Sequence, residues 1–172
     1  GLPGNKLIQE KLSALLERKE KFTFIYLDIN DFKAYNDAYG FVKGDEAIKL
    51  LAKVIQSNIS RMGLGNNDFV GHIGGDDFVI ITIEPEDYAT ELCERITSEF
   101  NRLVYDLYNE VDRARGYVVA RGHTPQEKKF PLMTLSTALL SPEMCKTETI
   151  WELAQIAAGV KRKAKLAAKS YD

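Results

Sequence analysis

A glycine turn between two short apolar segments constrains the fold of this 172-residue chain more than any other feature. The turn covers residues 74–77 with the sequence GGDD, and the flanking segments 70–73 and 78–83 have the length and composition of β-strands. Gly-Gly accepts positive φ angles and is therefore favoured as the two-residue connection of a hairpin. The sequence predicts a β-hairpin with two carboxylates at its tip.

A second acidic segment follows another predicted strand upstream. Residues 22–27 are almost entirely apolar or aromatic, and the chain then reaches Asp28 and Asp31. Hard cations such as Mg²⁺ bind carboxylate and carbonyl oxygens, usually through one or two carboxylates plus the phosphates of a nucleotide. We therefore expect Asp28, Asp76 and Asp77 to hold one divalent ion if the two acidic ends converge. The alternative interpretation is that GGDD is only a polar hairpin tip.

The overall composition fits one globular domain. A chain of this length can bury a core without metals or disulfides, and its hydrophobic share of 45% and charged share of 28% are ordinary. The net charge of −2 argues against a broad basic surface for nucleic acid. The sequence contains no signal peptide and no stretch that would insert in a bilayer, and Cys93 and Cys145 lack ligand spacing. We expect both thiols to be inert. We also expect the domain to be cytoplasmic, either in a soluble protein or as the cytoplasmic domain of a membrane-anchored protein.

The hydrophobic periodicity predicts alternating helices and strands. Apolar residues recur every three or four positions in the segments that we predict as helices, which are residues 5–21, 31–39, 44–62, 87–108 and 149–169. Shorter apolar segments predict strands at residues 22–29, 70–73, 78–83, 117–120 and 132–140. Residues 121–129 are predicted as a long exposed loop or hairpin arm. This order predicts an α+β fold with a palm-like sheet and helices packed on its faces.

Three motifs in order resemble the GGDEF domain family. They are the opening segment GLPGN, the sequence LDINDFKAYNDAYGFVKGD at residues 27–45, and HIGGDDF at residues 72–78. The resemblance covers essentially the whole chain, residues 1–172, as a single domain that we expect to be excised from a longer signalling protein. It implies a central, mostly antiparallel sheet related to nucleotidyl cyclases and polymerase palms. Active members are diguanylate cyclases, which condense two GTP into cyclic di-GMP and release two pyrophosphates.

The resemblance also implies the metal site and the catalytic residues. Mg²⁺, or Mn²⁺ in its place, would be held by Asp28, Asp76 and the backbone carbonyl of Ile29. Asp77 would support a second metal ion or deprotonate the attacking 3′-hydroxyl, so Asp76 and Asp77 are the implied catalytic pair. The alternative for Asp28 is a solvated strand terminus.

The implied nucleotide contacts divide into guanine and phosphate contacts. Asn36 and Asp45 match the guanine-reading positions, and guanine offers N–H donors that a carboxylate or an amide oxygen can accept. Each could instead be an ordinary polar residue near a helix end. The implied contacts along the phosphates are Phe32, Lys33, Gly74, Gly75, Lys165 and Lys169. The two last lysines belong to a stripe that also contains Lys161, and such a stripe is alternatively a solvated helix face.

The chain departs from the family pattern at several positions. Asp77 replaces the usual glutamate and is one methylene shorter, and Lys169 replaces the common arginine, which grips phosphate bidentately. The arginine frequent before the turn is replaced by His72 and Ile73, and Phe41 replaces a histidine. Residues 65–68 occupy the window of an RxxD product-inhibition motif, but its arginine is missing, so we expect little inhibition by cyclic di-GMP.

The leading hypothesis is a diguanylate cyclase that works as a homodimer, because one GTP per subunit requires two half-sites to face each other. The alternative is a catalytically weak or inactive GGDEF module that binds GTP and regulates a partner. A polymerase or adenylyl cyclase relative is disfavoured by Asn36 and Asp45, and a purely structural module would not need acids at two strand ends. Fused sensor or effector domains are the expected partners, without nucleic acid and without membrane insertion of this domain.

Overall fold

The structure, a computed structural model, describes residues 1–62, 67–121 and 124–170, with the side chains of the last helix described up to Arg162. The described helices are α1 (Asn5–Glu17), α2 (Phe32–Tyr39), α3 (Phe41–Met62), α4 (Glu86–Leu103), α5 (Glu110–Arg115) and α6 (Ile150–Ser170). The described strands are β1 (Thr23–Asn30), β2 (Asp68–Ile73), β3 (Asp77–Thr82), β4 (Tyr117–Ala120), β5 (Lys128–Pro131) and β6 (Thr134–Leu140). No helix within these ranges combines the length and hydropathy that crossing a membrane requires.

Four strands form the central sheet in the order β2-β3-β1-β6, and each neighbouring pair is antiparallel. β1 takes a central position because apolar side chains cover both of its faces, which must therefore both be buried. The register sets Asp28 of β1 opposite Asp77 of β3 and Ser136 of β6. The acidic end of β1 consequently lies beside the start of β3.

Helices cover both faces of this sheet. Successive residues of a strand point to opposite faces, so Ile25 and Leu27 join the core with α3 and α4, whereas Phe24 joins the core with α1 and α6. Fully buried side chains such as Leu51 of α3 and Leu12 of α1 each contribute about 1.5–3 kcal/mol to folding. The α+β fold with helices on both faces of an antiparallel sheet is confirmed.

A second sheet, formed by β4 and β5, packs against α2. Three tyrosines fasten this region, since Tyr35 stacks on Tyr39 with ring centroids 4.7 Å apart and the edge of Tyr108 packs against both. The hydroxyl of Tyr39 also donates to the carboxylate of Asp112 in α5. Pairing of β4 with β5 confirms the hairpin alternative for the segment predicted over residues 121–129, of which residues 122 and 123 lie outside the described residues.

Two helix boundaries differ from the sequence predictions for backbone reasons. α1 ends at Glu17, four residues before the predicted end, because Lys19 adopts a left-handed conformation with a φ of 54°. α3 begins at Phe41, three residues before the predicted start, because Gly40 with a φ of 90° turns the chain directly from one helix into the next.

The segment between α4 and β6 departs most from the predictions. The helix predicted over residues 87–108 ends at Leu103 and continues as a 3-10 turn over Val104–Leu107. The sequence did not predict α5 and β5, because elements of 6 and 4 residues carry little periodicity. β6 starts two residues late because the Met133 N–H donates to the Tyr108 hydroxyl at 2.7 Å rather than to a strand.

Both cysteines are buried free thiols, as expected. Burial raises the pKa of Cys93 and that of Cys145 to about 12. Neither thiolate is therefore populated near neutral pH, which agrees with the prediction of inert thiols.

Candidate active site

The candidate site lies where the β2-β3 turn meets the end of β1. Asp28 lies near the end of β1, Asp76 lies in the turn, and Asp77 is the first residue of β3. Antiparallel pairing sets Asp28 opposite Asp77, and one carboxylate oxygen from each of the three acids lies within 4.8 Å of the others. The structure brings together the three acids that the sequence singled out, which we call the acid cluster; their role as metal ligands stays a prediction.

The turn contains three residues rather than the two predicted from Gly-Gly. Ile73 pairs with Asp77 across the hairpin, which leaves Gly74, Gly75 and Asp76 in the connection. Gly74 has a φ of 64°, a conformation that a side chain disfavours. Of the two acids, only Asp76 is therefore at the hairpin tip. Asp77 belongs to β3, where pairing with the neighbouring strands holds its backbone.

His72 braces this turn. Its imidazole stacks on the ring of Phe78 with centroids 4.5 Å apart, and its Nε2 donates to the carbonyl oxygen of Gly75 at 3.1 Å. His72, one of the two residues that replace the arginine frequent before this turn, thus supports the turn from one side.

Burial makes Asp76 and Asp77 favour bound protons or cations. The pKa of Asp76 is raised, first because burial disfavours its charged form and then because of the negative charge of Asp77. Burial likewise raises the pKa of Asp77. A divalent cation would stabilise both charged forms in this partly desolvated position.

Tyr26 supports Asp77 from within the sheet. Its hydroxyl donates to Oδ2 of Asp77, which opposes the effect of burial on the pKa of that carboxyl. Burial and this same hydrogen bond raise the pKa of Tyr26, so its hydroxyl remains a donor at neutral pH. Sequence reasoning missed Tyr26, although its spacing of two residues from Asp28 in a strand places both side chains on one face.

A lysine from the last helix reaches the acid cluster. Nζ of Lys161 in α6 forms an ion pair with Oδ2 of Asp28, and the two side chains are only 18% and 21% exposed. The helical spacing predicted a stripe with Lys165 and Lys169 but not this contact. The side chains of Lys165 and Lys169 lie outside the described residues.

A cavity of about 270 Å³ adjoins the acid cluster. Four of its lining residues were predicted as site residues, namely Ile29, Phe32, Lys33 and Asp76, and three were not, namely Asp31, Ala34 and Phe130. The N-terminus of α2 begins at Phe32, and exposed N–H groups at a helix start favour anions. Nζ of Lys33 pairs with Asp37 at 3.2 Å. Phe130 comes from the β4-β5 hairpin, and no spacing in the sequence connects it to the other lining residues.

The two predicted guanine-reading residues lie on consecutive helices. Oδ1 of Asn36 in α2 is buried and has no hydrogen-bond partner among the described residues. It packs against Gly44 of α3, where an added Cβ would come within 1.7 Å of that oxygen. Asp45 is the next residue and is exposed. The orphaned amide oxygen fits a ligand that brings N–H donors, which is what a guanine edge offers.

The window expected for product inhibition lies partly outside the described residues, since residues 65 and 66 are not among them. Asp68 begins β2, and its Oδ2 accepts a hydrogen bond from the Tyr88 hydroxyl of α4. Asp68 is therefore engaged in packing between the sheet and α4. The prediction of weak product inhibition stays untested.

Comparisons with known proteins identify the family of this chain. A family model described as "Diguanylate cyclase, GGDEF domain" matches residues 1–126. The chain is 30% identical over 107 residues to the bifunctional diguanylate cyclase/cyclic di-GMP phosphodiesterase MucR of Pseudomonas aeruginosa, and 36% identical over 83 residues to a diguanylate cyclase of Vibrio cholerae. These alignments cover 59% and 48% of this chain but only 15% and 24% of the two relatives.

A solved structure extends the likeness along the chain. The active GGEEF domain of a diguanylate cyclase from Vibrio cholerae matches with a TM-score of 0.68 and 23% identity, over 97% of this chain and 93% of that one. At this identity the match supports the fold, and the family model supplies the membership over residues 1–126. The antiparallel sheet with its covering helices is thus the fold of a solved domain, and the chain belongs to the GGDEF domain family.

Proposed function

We propose that this domain is a diguanylate cyclase that joins two GTP molecules into cyclic di-GMP and releases two pyrophosphates. The observation that carries the proposal is the convergence of Asp28, Asp76 and Asp77 beside the cavity at the start of α2. In each half-reaction a ribose 3′-hydroxyl attacks the α-phosphate of the other GTP, the new phosphodiester bond forms and pyrophosphate leaves. This chemistry needs stabilised phosphate charge and an acceptor for the hydroxyl proton.

The donor set of the acid cluster fits Mg²⁺, or Mn²⁺ in its place. Carboxylate and carbonyl oxygens are the ligands that these hard ions prefer. We assign Asp28, Asp76 and the backbone carbonyl of Ile29 as ligands, with Asp77 beside them. When bound, the ion would offset phosphate charge and acidify the attacking hydroxyl.

Asp77 is the residue that we assign to accept the hydroxyl proton. Tyr26 holds one of its carboxylate oxygens, so the other can face the reacting group. Because burial raises the pKa of Asp77, its carboxylate is a stronger base than an exposed aspartate. Its shorter side chain, compared with glutamate, leads us to expect slow turnover.

The remaining assignments concern substrate binding. The backbone at Phe32 and the side chain of Lys33 would contact the phosphates at the start of α2, and Gly74 and Gly75 would allow the nucleotide to approach the turn. Asn36 would accept from the guanine edge together with Asp45 on the next helix. Lys165 and Lys169 remain proposals for the terminal phosphates.

The reaction requires two copies of the domain, since each GTP supplies both a nucleophile and an electrophile. We therefore propose a homodimer with facing half-sites. The chain spans at most 24% of the two curated relatives, one of which is bifunctional, and on that basis we propose fused sensor or effector domains. A cytoplasmic location is proposed because the substrate is GTP.

A GTP-binding regulatory module is the second candidate function. One observation favours it: Asp28 is already paired with Lys161. This ion pair must coexist with or yield to the metal ion that catalysis needs, whereas nucleotide binding through Asn36 and the start of α2 does not depend on it.

Product analysis separates the two candidates. The domain is incubated with GTP and Mg²⁺ at high protein concentration, and the nucleotides are resolved by chromatography. Cyclic di-GMP formed by the wild type and lost in Asp76→Asn supports the cyclase. GTP binding without product, together with no product from Asp77→Glu, supports the regulatory module.

A further inference from the structure

The ion pair between Lys161 and Asp28 places a fixed positive charge at the proposed metal site. Asp28 is one of the three acids whose ligand oxygens lie within 4.8 Å of one another, and Oδ2 of Asp28 is the atom that Nζ of Lys161 contacts. Both side chains are less than a quarter exposed, so solvent screens this charge only partly. An ammonium group and a divalent cation would therefore compete for the same carboxylate.

The position of Lys161 in the fold explains how it reaches this site. The α6 helix packs on the sheet face that carries alternate residues of β1, and Leu153 and Ala157 of α6 are buried there in the same apolar cluster as Phe24. Lys161 follows Ala157 by four residues, one helical turn along the same face. Asp28 follows Phe24 by four residues on the corresponding face of the strand. The apolar packing of α6 on the sheet thus places Lys161 beside Asp28, near the end of β1.

We propose that Lys161 is an internal cation that occupies Asp28 in the nucleotide-free domain and lowers the affinity of the acid cluster for free divalent ions. A nucleotide phosphate entering the site offers the ammonium group another anionic partner, so metal entry becomes coupled to nucleotide entry. The proposal rests on the proposed function for the identity of the nucleotide, but its metal-binding part requires neither GTP nor catalysis.

Two consequences follow from electrostatics. Two cations about 4 Å apart in a partly buried site repel strongly, so removing the lysine charge should tighten binding of a free divalent ion by at least about tenfold. Removing the lysine also leaves Asp28 without its buried partner, which destabilises the metal-free domain. A bound ion then restores the lost charge balance, so metal should raise the melting temperature more in the variant than in the wild type.

The test is a calorimetric titration of Mn²⁺ into the nucleotide-free wild type, Lys161→Met and Lys161→Arg, with thermal unfolding recorded in chelator and in Mn²⁺. Arg162→Met is the matched control, because it removes one positive charge from the adjacent, exposed position of α6. We expect Lys161→Met to bind Mn²⁺ at least about tenfold more tightly and to gain the larger melting shift. Lys161→Arg and Arg162→Met should bind Mn²⁺ as the wild type does.

A second titration adds 3′-deoxy-GTP, which lacks the attacking hydroxyl and cannot be converted to product. This nucleotide should increase the Mn²⁺ affinity of the wild type by a larger factor than that of Lys161→Met. If Lys161→Met binds Mn²⁺ no more tightly than the wild type, or binds none, the proposal is wrong. If Lys161→Met does not fold in chelator, Lys161→Gln replaces it under the same criterion. If the proposed function is wrong but this proposal is right, the wild type makes no cyclic di-GMP while the Mn²⁺ affinities still differ between wild type and Lys161→Met as expected.

Discussion

Replacing Gly44 by alanine should weaken GTP binding without unfolding the domain. The added Cβ would lie 1.7 Å from Oδ1 and 2.8 Å from Cγ of Asn36. Because such contacts require at least about 3.0 Å, the amide oxygen has to move by about 1.3 Å or more, which turns Asn36 into a different rotamer. The residue that we propose to contact guanine is thereby displaced by a substitution at a position that has no proposed nucleotide contact.

The magnitude follows from the hydrogen bonds that the amide can no longer make. Leaving a buried guanine donor unpaired costs about 1–3 kcal/mol, which corresponds to a loss of roughly 5-fold to 150-fold in GTP affinity. Folding stability should change little, because the gain of up to about 1 kcal/mol from alanine in a helix is offset by about 0.5–1.5 kcal/mol for the displaced rotamer.

Calorimetry with GTP and Mg²⁺, together with urea unfolding, measures both quantities. The matched control is the same substitution in an Asn36→Ala background, where the clash is absent. There Gly44→Ala should leave GTP affinity unchanged and stabilise the domain by up to about 1 kcal/mol. A folded Gly44→Ala single variant with wild-type GTP affinity would refute the assignment of Asn36 to guanine.

Three further predictions concern the acid cluster. Tyr26→Phe removes the hydrogen-bond donor to Asp77. It should lower the initial rate of product formation by about tenfold or more, while GTP affinity measured by calorimetry changes less than about threefold. Equal losses of rate and affinity would contradict a positioning role for Tyr26. Asp77→Glu restores the methylene and should accelerate product formation with little change in GTP affinity, and a slower variant would show that the aspartate is the adapted residue. Because the pKa of Asp76 is raised in the folded domain, ionising this carboxyl lowers the stability of the fold. The loss is absent below the ordinary pKa range of aspartate, grows as the pH rises through the raised pKa, and is complete above it. In chelator, Asp76→Asn should thus be more stable than the wild type at pH 7 and by a smaller margin in acid, as urea unfolding can measure; a margin that grows in acid would contradict this reasoning.

Periodicity and composition predicted much of the fold because the long elements bury regular apolar faces. The strand that carries Asp28 near its end and the hairpin around Gly74 were recognisable from their apolar residues and turn chemistry. The β4-β5 hairpin and α5 were harder, since their position depends on tertiary contacts such as the tyrosine packing around Tyr108. Short elements held by distant partners leave little local signal.

The candidate site was predictable where its residues lie close in sequence to a turn or strand end. The three acids could be named from the sequence, and antiparallel pairing of β1 with β3 brings them together. Tyr26, Lys161 and Phe130 were not found, because they approach the site from another strand position, the last helix and the second sheet. Such contacts depend on the packing of elements that are distant in sequence.

Product formation as a function of protein concentration tests the central claim most directly. Two GTP-bearing domains must meet, so the rate of cyclic di-GMP synthesis per domain should rise with protein concentration when dimers are scarce, in the presence of Mg²⁺ and saturating GTP. Asp76→Asn at the same concentrations serves as the inactive reference. A specific rate that rises with concentration and vanishes in Asp76→Asn is the predicted result. Absence of cyclic di-GMP from the folded, GTP-binding wild type at the highest concentration would contradict the account.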